Sequence, residues 1–191
     1  MSIDELIAEF DLKKVQKGGG VFNIEKLHWL NKQYLNKLNN DEFIEYLEPK
    51  MTDIQDLDGY TETMFKKILP LVRERTEAYI DIEKIITDGD LSYYFSAPEV
   101  DMEKVIWKKD TLEDAKKHLT QVSELINSYE GEWDKDNLKE HIFPYADEQG
   151  RGSVLWPLRF CLSGKEKSPD PFTLLEVLGK QESLKRINNI I

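Results

Sequence analysis

The sequence contains few of the residues on which metal, disulfide and thiol chemistry depend. One cysteine and three histidines occur among 191 residues. Cys161 cannot form an internal disulfide, and its apolar neighbours predict a buried, reduced thiol. The histidines, at positions 28, 118 and 141, have no metal-ligand spacing to one another or to this cysteine, so the sequence gives no support to a structural zinc site.

Long apolar runs are also missing. No segment approaches the roughly 20 apolar residues that a membrane span requires, and the first residues lack the basic start and apolar stretch of a secretory signal. These absences predict a soluble, cytoplasmic protein without membrane contact. The hydrophobic content of 40% is nevertheless sufficient for a sizeable core, which argues against a disordered chain.

The sequence also lacks a recognisable active site. The glycine run at residues 18–20 is not followed by Gly-Lys-Ser/Thr and follows no buried strand, so it does not predict a phosphate-binding loop. No Gly-x-Ser-x-Gly elbow is present, and carboxylate pairs such as Asp81 and Glu83 are expected on solvated helix faces. We therefore expect no catalytic residue, cofactor or metal in this chain.

Basic charge is scarce overall but is concentrated in two regions. The net charge is −11, yet residues 151–191 hold seven Lys/Arg against four Asp/Glu, and residues 10–37 hold six Lys against two acids. We call these the C-terminal basic region and the front basic region. Because electrostatic binding depends on the potential within a Debye length of about 8 to 10 Å, both regions can bind phosphates despite the acidic average.

Apolar residues recur at helical spacing along most of the chain, and alternating β-branched runs are scarce, which predicts an all-α protein. Asn23 and Asp41 are placed to cap two early helices. Pro70 is expected to restart the helical pattern, and Gly179 to interrupt the last helical stretch. A turn and an aromatic cluster place a boundary near residues 88–100. We predict an elongated domain with helical subdomains at 1–95 and 96–191.

Two motifs in the C-terminal basic region combine rigid apolar groups with polar ones. Trp156-Pro157-Leu158-Arg159 places a guanidinium about one helical turn beyond an indole, and Ser168-Pro169-Asp170-Pro171-Phe172 is a stiff loop that enters a helix at proline. Unpaired RNA bases stack on such groups while arginine, serine and backbone groups contact their polar edges. The same motifs are also typical of a core tryptophan, a solvated arginine and a plain loop.

The front basic region also has two possible interpretations. Lys17 precedes a helix whose polar face carries His28, Lys32 and Asn36, and Asn36 lies two turns beyond His28. These side chains could face one RNA-binding groove. The alternative is an ordinary amphipathic helix with its lysines in water.

Both regions resemble the C-terminal anticodon-binding region of bacterial-type glutamyl-tRNA synthetases. The front motif is Phe10-Asp11-Leu12-x-x-Val15-x-Lys17, followed by Val21-Phe22-Asn23-x-x-Lys26-Leu27-x-Trp29-Leu30-Asn31-x-x-Tyr34. The terminal motif is Pro157-Leu158-Arg159, Ser163-Gly164, Ser168-Pro169 and Leu178-Gly179-Lys180-x-x-Ser183-Leu184-x-Arg186-Ile187. Because the motifs occur in order near opposite ends, the resemblance spans almost the whole chain.

The resemblance implies that the chain recognises the anticodon stem-loop of glutamate tRNA for an enzyme that attaches glutamate to that tRNA. It implies an upstream catalytic domain that uses ATP, with Mg²⁺ as its candidate metal, and a monomeric protein. The catalytic motif His-x-Gly-His of such enzymes is absent here. Lys50-Met51-Thr52-Asp53 has only a superficial likeness to their Lys-Met-Ser-Lys loop, so we interpret Lys50 as a lysine at a helix end.

By position, the resemblance assigns an anticodon contact to Arg159 and a base-contacting loop, Thr-Pro-x-Leu in the family, to Ser168-Pro169-Asp170-Pro171. Serine retains the hydroxyl, whereas Pro171 replaces an apolar leucine contact. His28 and Asn36 occupy positions where some members carry arginines, and the second of those arginines, at the position of Asn36, helps to discriminate the third anticodon base. The predicted base pocket and its neighbouring phosphate contacts comprise Arg159, Ser168, Pro169, Pro171, Asn36, His28, Lys17, Lys32, Arg151 and Lys165.

Two other functions are compatible with the composition. A helical protein-interaction module would use the acidic faces to bind a basic partner, without RNA. A free-standing enzyme on a helical fold is opposed by the missing nucleophile, metal and nucleotide motifs.

Overall fold

The chain folds into helices joined by loops and turns. A computed structural model describes residues 3–14, 18 and 21–191, apart from the side chain of Lys14, and these residues contain no β-strand. The all-α prediction is therefore confirmed. The helices are α1 (Ile3–Glu9), α2 (Ile24–Leu35), α3 (Asn40–Leu47), α4 (Met51–Gln55), α5 (Glu62–Arg75), α6 (Tyr79–Thr87), α7 (Ser92–Phe95), α8 (Leu112–Ser128), α9 (Lys135–Gln149), α10 (Arg151–Ser163) and α11 (Pro171–Asn188), with short 3-10 turns at Leu12–Lys14 and Glu48–Lys50.

Side-chain caps fix where the early helices begin. The side chain of Asn23 accepts from the backbone of Lys26 at 2.9 Å, which confirms the predicted cap of α2. The predicted cap of α3 is wrong, because Asn39 rather than Asp41 takes that position. Asn39 and Glu42 exchange side-chain and backbone hydrogen bonds at 3.0 and 2.7 Å. This capping box outweighs the capping preference of Asp41, which instead lies in the first turn.

Prolines lie inside several helices without ending them. Pro70 is within α5, so the prediction that it restarts the pattern is wrong. Proline removes one backbone hydrogen bond, but the helix continues because residues on both sides of it bury apolar side chains in the core. These buried side chains are Phe65, Ile68, Leu69 and Val72.

The second half of the chain is a helical bundle in which α10 and α11 pack on each other and on α8 and α9. The core of the bundle includes Leu119, Leu138, Val154 and Leu158, which are fully buried. Gly179 interrupts α11 with a φ of 78°. This left-handed conformation is accessible to glycine at little cost, and the predicted break is confirmed.

A buried arginine joins the two halves of the chain. The Arg186 side chain is 2% exposed, and its guanidinium donates to the carbonyls of Tyr93 at 2.7 Å, Leu162 at 2.6 Å and Ser96 at 3.3 Å. Its Nε atom donates to Glu182 at 2.8 Å. The aromatic helix α7 is thereby held against the last helix. The subdomain division at 1–95 and 96–191 remains a prediction.

The front of the chain leaves apolar side chains in solvent. Helix α1 buries none of its residues, and α2 buries only Leu35. Val21 is 95% exposed and Trp29 58%. Other large apolar side chains exposed in this region are Ile3, Leu6, Ile7, Phe10, Leu12, Phe22, Ile24, Leu27, Leu30 and Tyr34. An apolar surface of this extent is typical of a protein-protein contact.

Candidate nucleic-acid interface

The loop between α10 and α11 is held rigid by its own polar groups. Helix α10 ends at Gly164, whose φ of 66° turns the chain. The hydroxyl of Ser163 lies 3.2 Å from that of Ser168, and Ser168 donates to the carbonyl of Pro169 at 3.2 Å. The loop thus presents Ser168 and Pro169 as a partly exposed ridge.

The end of this loop is also the start of α11. Asp170 caps the helix by accepting from the backbone of Phe172 and Thr173, both at 3.1 Å, and Pro171 occupies the first turn, as predicted. Burial raises the pKa of Asp170, but hydrogen bonds from Lys135 and Thr173 outweigh that effect and lower it. Asp170 therefore keeps its negative charge at neutral pH.

One cavity lies beside the loop, and we call it the tryptophan cavity. It has a volume of about 390 Å³. The guanidinium carbon of Arg159 is 4.8 Å from the ring centre of Trp156, and Arg159 also donates to the carbonyl of Glu166 at 2.9 Å. The indole of Trp156 donates to the carbonyl of Lys104 at 2.9 Å, which fixes the plane of the ring. The cavity is lined by Trp107, Arg151, Gly152, Leu155, Trp156, Arg159, Asp170 and Pro171.

A second cavity lies on the other side of the loop, and we call it the α5 groove. It has a volume of about 460 Å³ and includes residues from α5, from the start of α9 and from the loop. Lys135 contacts Asp170 at 2.9 Å, and Arg75 pairs with Asp90. The lining residues are Leu71, Glu74, Arg75, Lys135, Lys167, Ser168, Pro169, Asp170 and Thr173.

The two cavities share Asp170 and divide the predicted base-binding residues between them. Arg159 and Pro171 line the tryptophan cavity, whereas Ser168 and Pro169 line the α5 groove. The sequence predicted one pocket. The structure has two neighbouring ones because Asp170, fixed as the helix cap, stands at their common wall.

Helix α2 is attached next to the α5 groove by Lys32. The ammonium donates to the carbonyls of Arg73 at 2.8 Å and Thr76 at 3.0 Å, and also to that of Glu74, which lines the groove. An ammonium group has three donors, and all three are used here. Lys32 therefore has no free donor for a phosphate, which argues against its predicted phosphate contact.

The other residues predicted in the front basic region occupy different settings. His28 is half-buried, with Nδ1 3.7 Å from the carboxylate of Glu77. Asn36 is exposed at the end of α2, and it is not among the residues that line either cavity. Lys17 lies outside the described residues.

The two predicted phosphate contacts in the C-terminal basic region also have protein partners. Arg151 pairs with Asp147 and lies 4.6 Å from the ring centre of Phe143, yet its side chain is 65% exposed at the rim of the tryptophan cavity. Lys165 donates to the carbonyl of Asp88 at 2.6 Å and so joins the loop to the first half of the chain. Arg151 is therefore the more accessible of the two.

Several cavity residues were not predicted. Arg75 and Lys135 contribute cations to the α5 groove, and Trp107 contributes an indole to the tryptophan cavity. The run Trp107-Lys108-Lys109 was the available signal, since it places an aromatic residue beside two lysines. Sequence spacing could not place Trp107 near Trp156, because Trp107 lies in a loop and Trp156 lies far along the chain on α10.

The other residues singled out in the sequence have ordinary structural settings in the part of the chain that the structure describes. No cluster of His, Cys, Asp or Glu there could hold a metal ion. Burial raises the pKa of the Cys161 thiol, which keeps it protonated and unreactive. Lys50 forms ion pairs with Asp53 at 3.3 Å and Glu83 at 3.4 Å. None of the helices in the described ranges is long and apolar enough to cross a membrane.

Comparison with known proteins identifies the family to which this fold and interface belong. The sequence model of the anticodon binding domain family matches residues 41–191. The chain belongs to this family. The match includes both cavities, while α1 and α2 lie in front of it.

Longer relatives of this anticodon-binding domain extend the likeness to the front of the chain. The chain is 31% identical to the glutamate-tRNA ligase of Clostridium acetobutylicum over 98% of its length and 38% of the relative's. It is 33% identical to the Clostridium botulinum strain Hall enzyme over 97% of its length and 37% of the relative's. The chain thus spans little more than a third of these relatives.

Solved structures give the same result for the fold. The crystal structure of a glutamate tRNA ligase from Elizabethkingia meningosepticum in complex with its amino acid has a TM-score of 0.72 and 32% identity, covering all of this chain and 36% of that one. The corresponding synthetase from Elizabethkingia anophelis has a TM-score of 0.66 at the same identity and coverage. The architecture of the anticodon-binding domain is therefore shared with these ligases.

Proposed function

We propose that this chain is the anticodon-binding part of a glutamate-tRNA ligase and binds the anticodon stem-loop of glutamate tRNA. The observation that carries the proposal is the position of Arg159. Its guanidinium lies over the Trp156 ring, in one cavity with Pro171 and next to the Ser168-Pro169 ridge. An arginine held in place by an aromatic face and a carbonyl is preorganised to contact a base edge.

The residues of the two cavities have separate roles in this proposal. Arg159 and Pro171 contact an unpaired base in the tryptophan cavity, and Ser168 and Pro169 contact a second base at the mouth of the α5 groove. Arg151 is exposed at the rim and contacts a phosphate. The predicted base contact of Asn36 and the phosphate contacts of Lys17 and Lys165 remain predictions.

The proposal includes a partner within the same protein. Relatives of this chain are far longer, and the exposed apolar side chains at its front, among them Val21 and Trp29, provide a surface on which a catalytic domain can pack. That domain would bind ATP and its Mg²⁺ and attach glutamate to the tRNA. A monomeric protein in the cytoplasm is part of the same proposal.

The test is the affinity of the purified chain for an RNA stem-loop that carries the anticodon of glutamate tRNA. A lost base-edge contact costs about 1 to 3 kcal/mol, so Arg159→Ala should weaken binding about tenfold or more without unfolding the protein. Lys66→Ala, which removes an exposed charge on α5 outside both cavities, is the control and should have little effect. Unchanged affinity of Arg159→Ala at low salt would disprove the site.

A protein-interaction module without RNA binding is the second candidate, since the exposed apolar surface at the front and the net charge of −11 both suit a protein partner. The two functions differ in how they respond to RNA and to salt. RNA binding through phosphates weakens steeply as salt rises. A titration of total tRNA at two salt concentrations that shows no binding at either would favour this candidate.

A further inference from the structure

Trp107 lines the tryptophan cavity although the sequence did not predict it there. It belongs to the segment between α7 and α8, outside every motif that carries the family resemblance. Its ring centre lies 5.3 Å from that of Trp156, with an angle of 42° between the ring planes. The two indoles therefore form a tilted pair at the side of a cavity that also contains Arg159 and Pro171.

The position of Trp107 depends on two backbone features. Gly152 lies against the indole so closely that a Cβ atom there would clash with Nε1 of Trp107. The next residue in the loop, Lys108, has a φ of 50°, which is rare for a residue other than glycine. These features hold the indole against the first turn of α10, so the ring is fixed before any ligand binds.

Cations surround the pair of indoles. The ammonium of Lys108 is 4.7 Å from the ring centre of Trp107, and the guanidinium of Arg159 is 4.8 Å from that of Trp156. Arg151 lines the same cavity. Asp170 also lines the cavity, but Lys135 pairs with it, so the cations beside the half-buried indoles disfavour a cationic ligand and favour a flat group that carries negative charge nearby.

We propose that Trp107 is a stacking wall for an unpaired nucleobase of RNA in the tryptophan cavity. A nucleobase presents an aromatic face to the indole and polar edges to Arg159, and its phosphate lies within reach of the cations at the rim. The inference rests on the proposed function, because it assumes that RNA enters this cavity. Trp107 would contribute affinity through its aromatic face, without a hydrogen bond to a base edge.

The experiment compares two substitutions that keep apolar bulk and differ in aromaticity. Trp107→Phe retains a ring face, whereas Trp107→Leu fills similar space without one. An anticodon stem-loop of glutamate tRNA, with 2-aminopurine at one anticodon position at a time, reports both affinity and base stacking. Stacking on an aromatic side chain contributes about 1 to 3 kcal/mol per base, so Trp107→Leu should bind about 5- to 150-fold more weakly than the wild type.

Trp107→Phe should bind within about threefold of the wild type, because a phenyl ring keeps part of the stacking surface. The fluorescence change at one anticodon position should be present in the wild type and Trp107→Phe and absent in Trp107→Leu. Ile80→Ala, which removes an exposed apolar side chain on α6 outside both cavities, is the control and should bind like the wild type.

The outcomes distinguish a failure of the stacking role from a failure of the proposed function. If the wild type binds no stem-loop, the proposed function fails. If the wild type binds and Arg159→Ala weakens binding, but Trp107→Phe and Trp107→Leu bind equally well, the function stands and the stacking role is wrong. An equal loss in Trp107→Leu and Ile80→Ala would also overturn the stacking role.

Discussion

The guanidinium of Arg186 donates to the backbone carbonyl of Tyr93 at 2.7 Å, although 93 residues separate the two in sequence. The same guanidinium donates to Leu162 and Ser96, so three carbonyls from two parts of the chain meet at one buried cation. Arg186 belongs to the motif that carries the family resemblance. Its role in the structure is to hold α7 against the end of the protein.

Replacing Arg186 with methionine should therefore destabilise the whole protein. The substitution leaves several carbonyls without a donor and removes the ion pair from Arg186 to Glu182, and such losses cost about 3 kcal/mol or more. Urea unfolding measures the change. Lys185→Met, which removes an exposed cation from the neighbouring position, should cost less than about 1 kcal/mol. A loss of equal size in both variants would contradict the role of Arg186.

Lys32→Met should loosen α2 from the end of α5. Hydrogen bonds from an ammonium to helix C-terminal carbonyls stabilise a protein by about 1 to 2 kcal/mol in total. Amide hydrogen exchange in α2 should accelerate. Lys37→Met, which lies just past the end of α2 and places its ammonium over the exposed ring of Tyr34, should leave exchange unchanged. A weaker salt dependence of RNA binding in Lys32→Met, with exchange unchanged, would restore its predicted phosphate contact.

Gly152→Ala should displace Trp107. The added methyl group would overlap the indole, and overpacking of this kind costs about 1 to 3 kcal/mol, which exceeds the gain of up to about 1 kcal/mol from replacing glycine in a helix. The near-ultraviolet circular dichroism of the indoles should change. Gly18→Ala is the control, since no atom of the described residues, its chain neighbours aside, lies within 4 Å of the added Cβ. Identical spectra for Gly152→Ala and the wild type would contradict the displacement of Trp107.

His118 should make stability depend on pH. Burial, and next the charge of Lys117, lower the pKa of its imidazole, and Nδ1 lies 2.8 Å from the hydroxyl of Tyr145. The folded state therefore binds a proton less readily than the unfolded state. The stabilising effect is complete above the unfolded pKa of about 6.5 and is lost as pH falls through the lower folded pKa.

The measurement compares wild type and His118→Gln at pH 7.5 and pH 5.5. Carboxylates contribute nearly equally to both proteins, so the difference between them isolates the histidine. The free energy of unfolding of the wild type should fall more on acidification than that of His118→Gln. Equal changes in the two proteins would exclude this role.

Local signals were sufficient to predict most of the helices. The side chain of Asn23, the proline at the start of α11 and the glycine within it each act on neighbouring residues, so sequence spacing locates them. Pro70 was misjudged because the burial of side chains around it is a tertiary effect. Asn39 was passed over because Asn39, Asn40 and Asp41 are all good caps, and only the partner at Glu42 selects among them.

The interface was predictable only in part. The ridge at Ser168 and the pair Trp156 and Arg159 are short motifs, and the structure presents both at cavities. Lys32 has the spacing of an exposed cation, but the carbonyls that bind it are 41 to 44 residues away. Trp107 reaches its cavity only through the packing of a loop on α10. Contacts between distant segments determine the settings of Lys32 and Trp107, and helical periodicity carries no information about such contacts.

Five cations in the described part of this acidic chain donate to backbone carbonyls of distant residues, although carboxylates are abundant. They are Lys32, Arg73, Lys165, Lys180 and Arg186. Carbonyl oxygens do not titrate in the range in which carboxylates gain protons. When acid protonates the surface carboxylates, these hydrogen bonds between distant segments therefore keep both their donors and their acceptors.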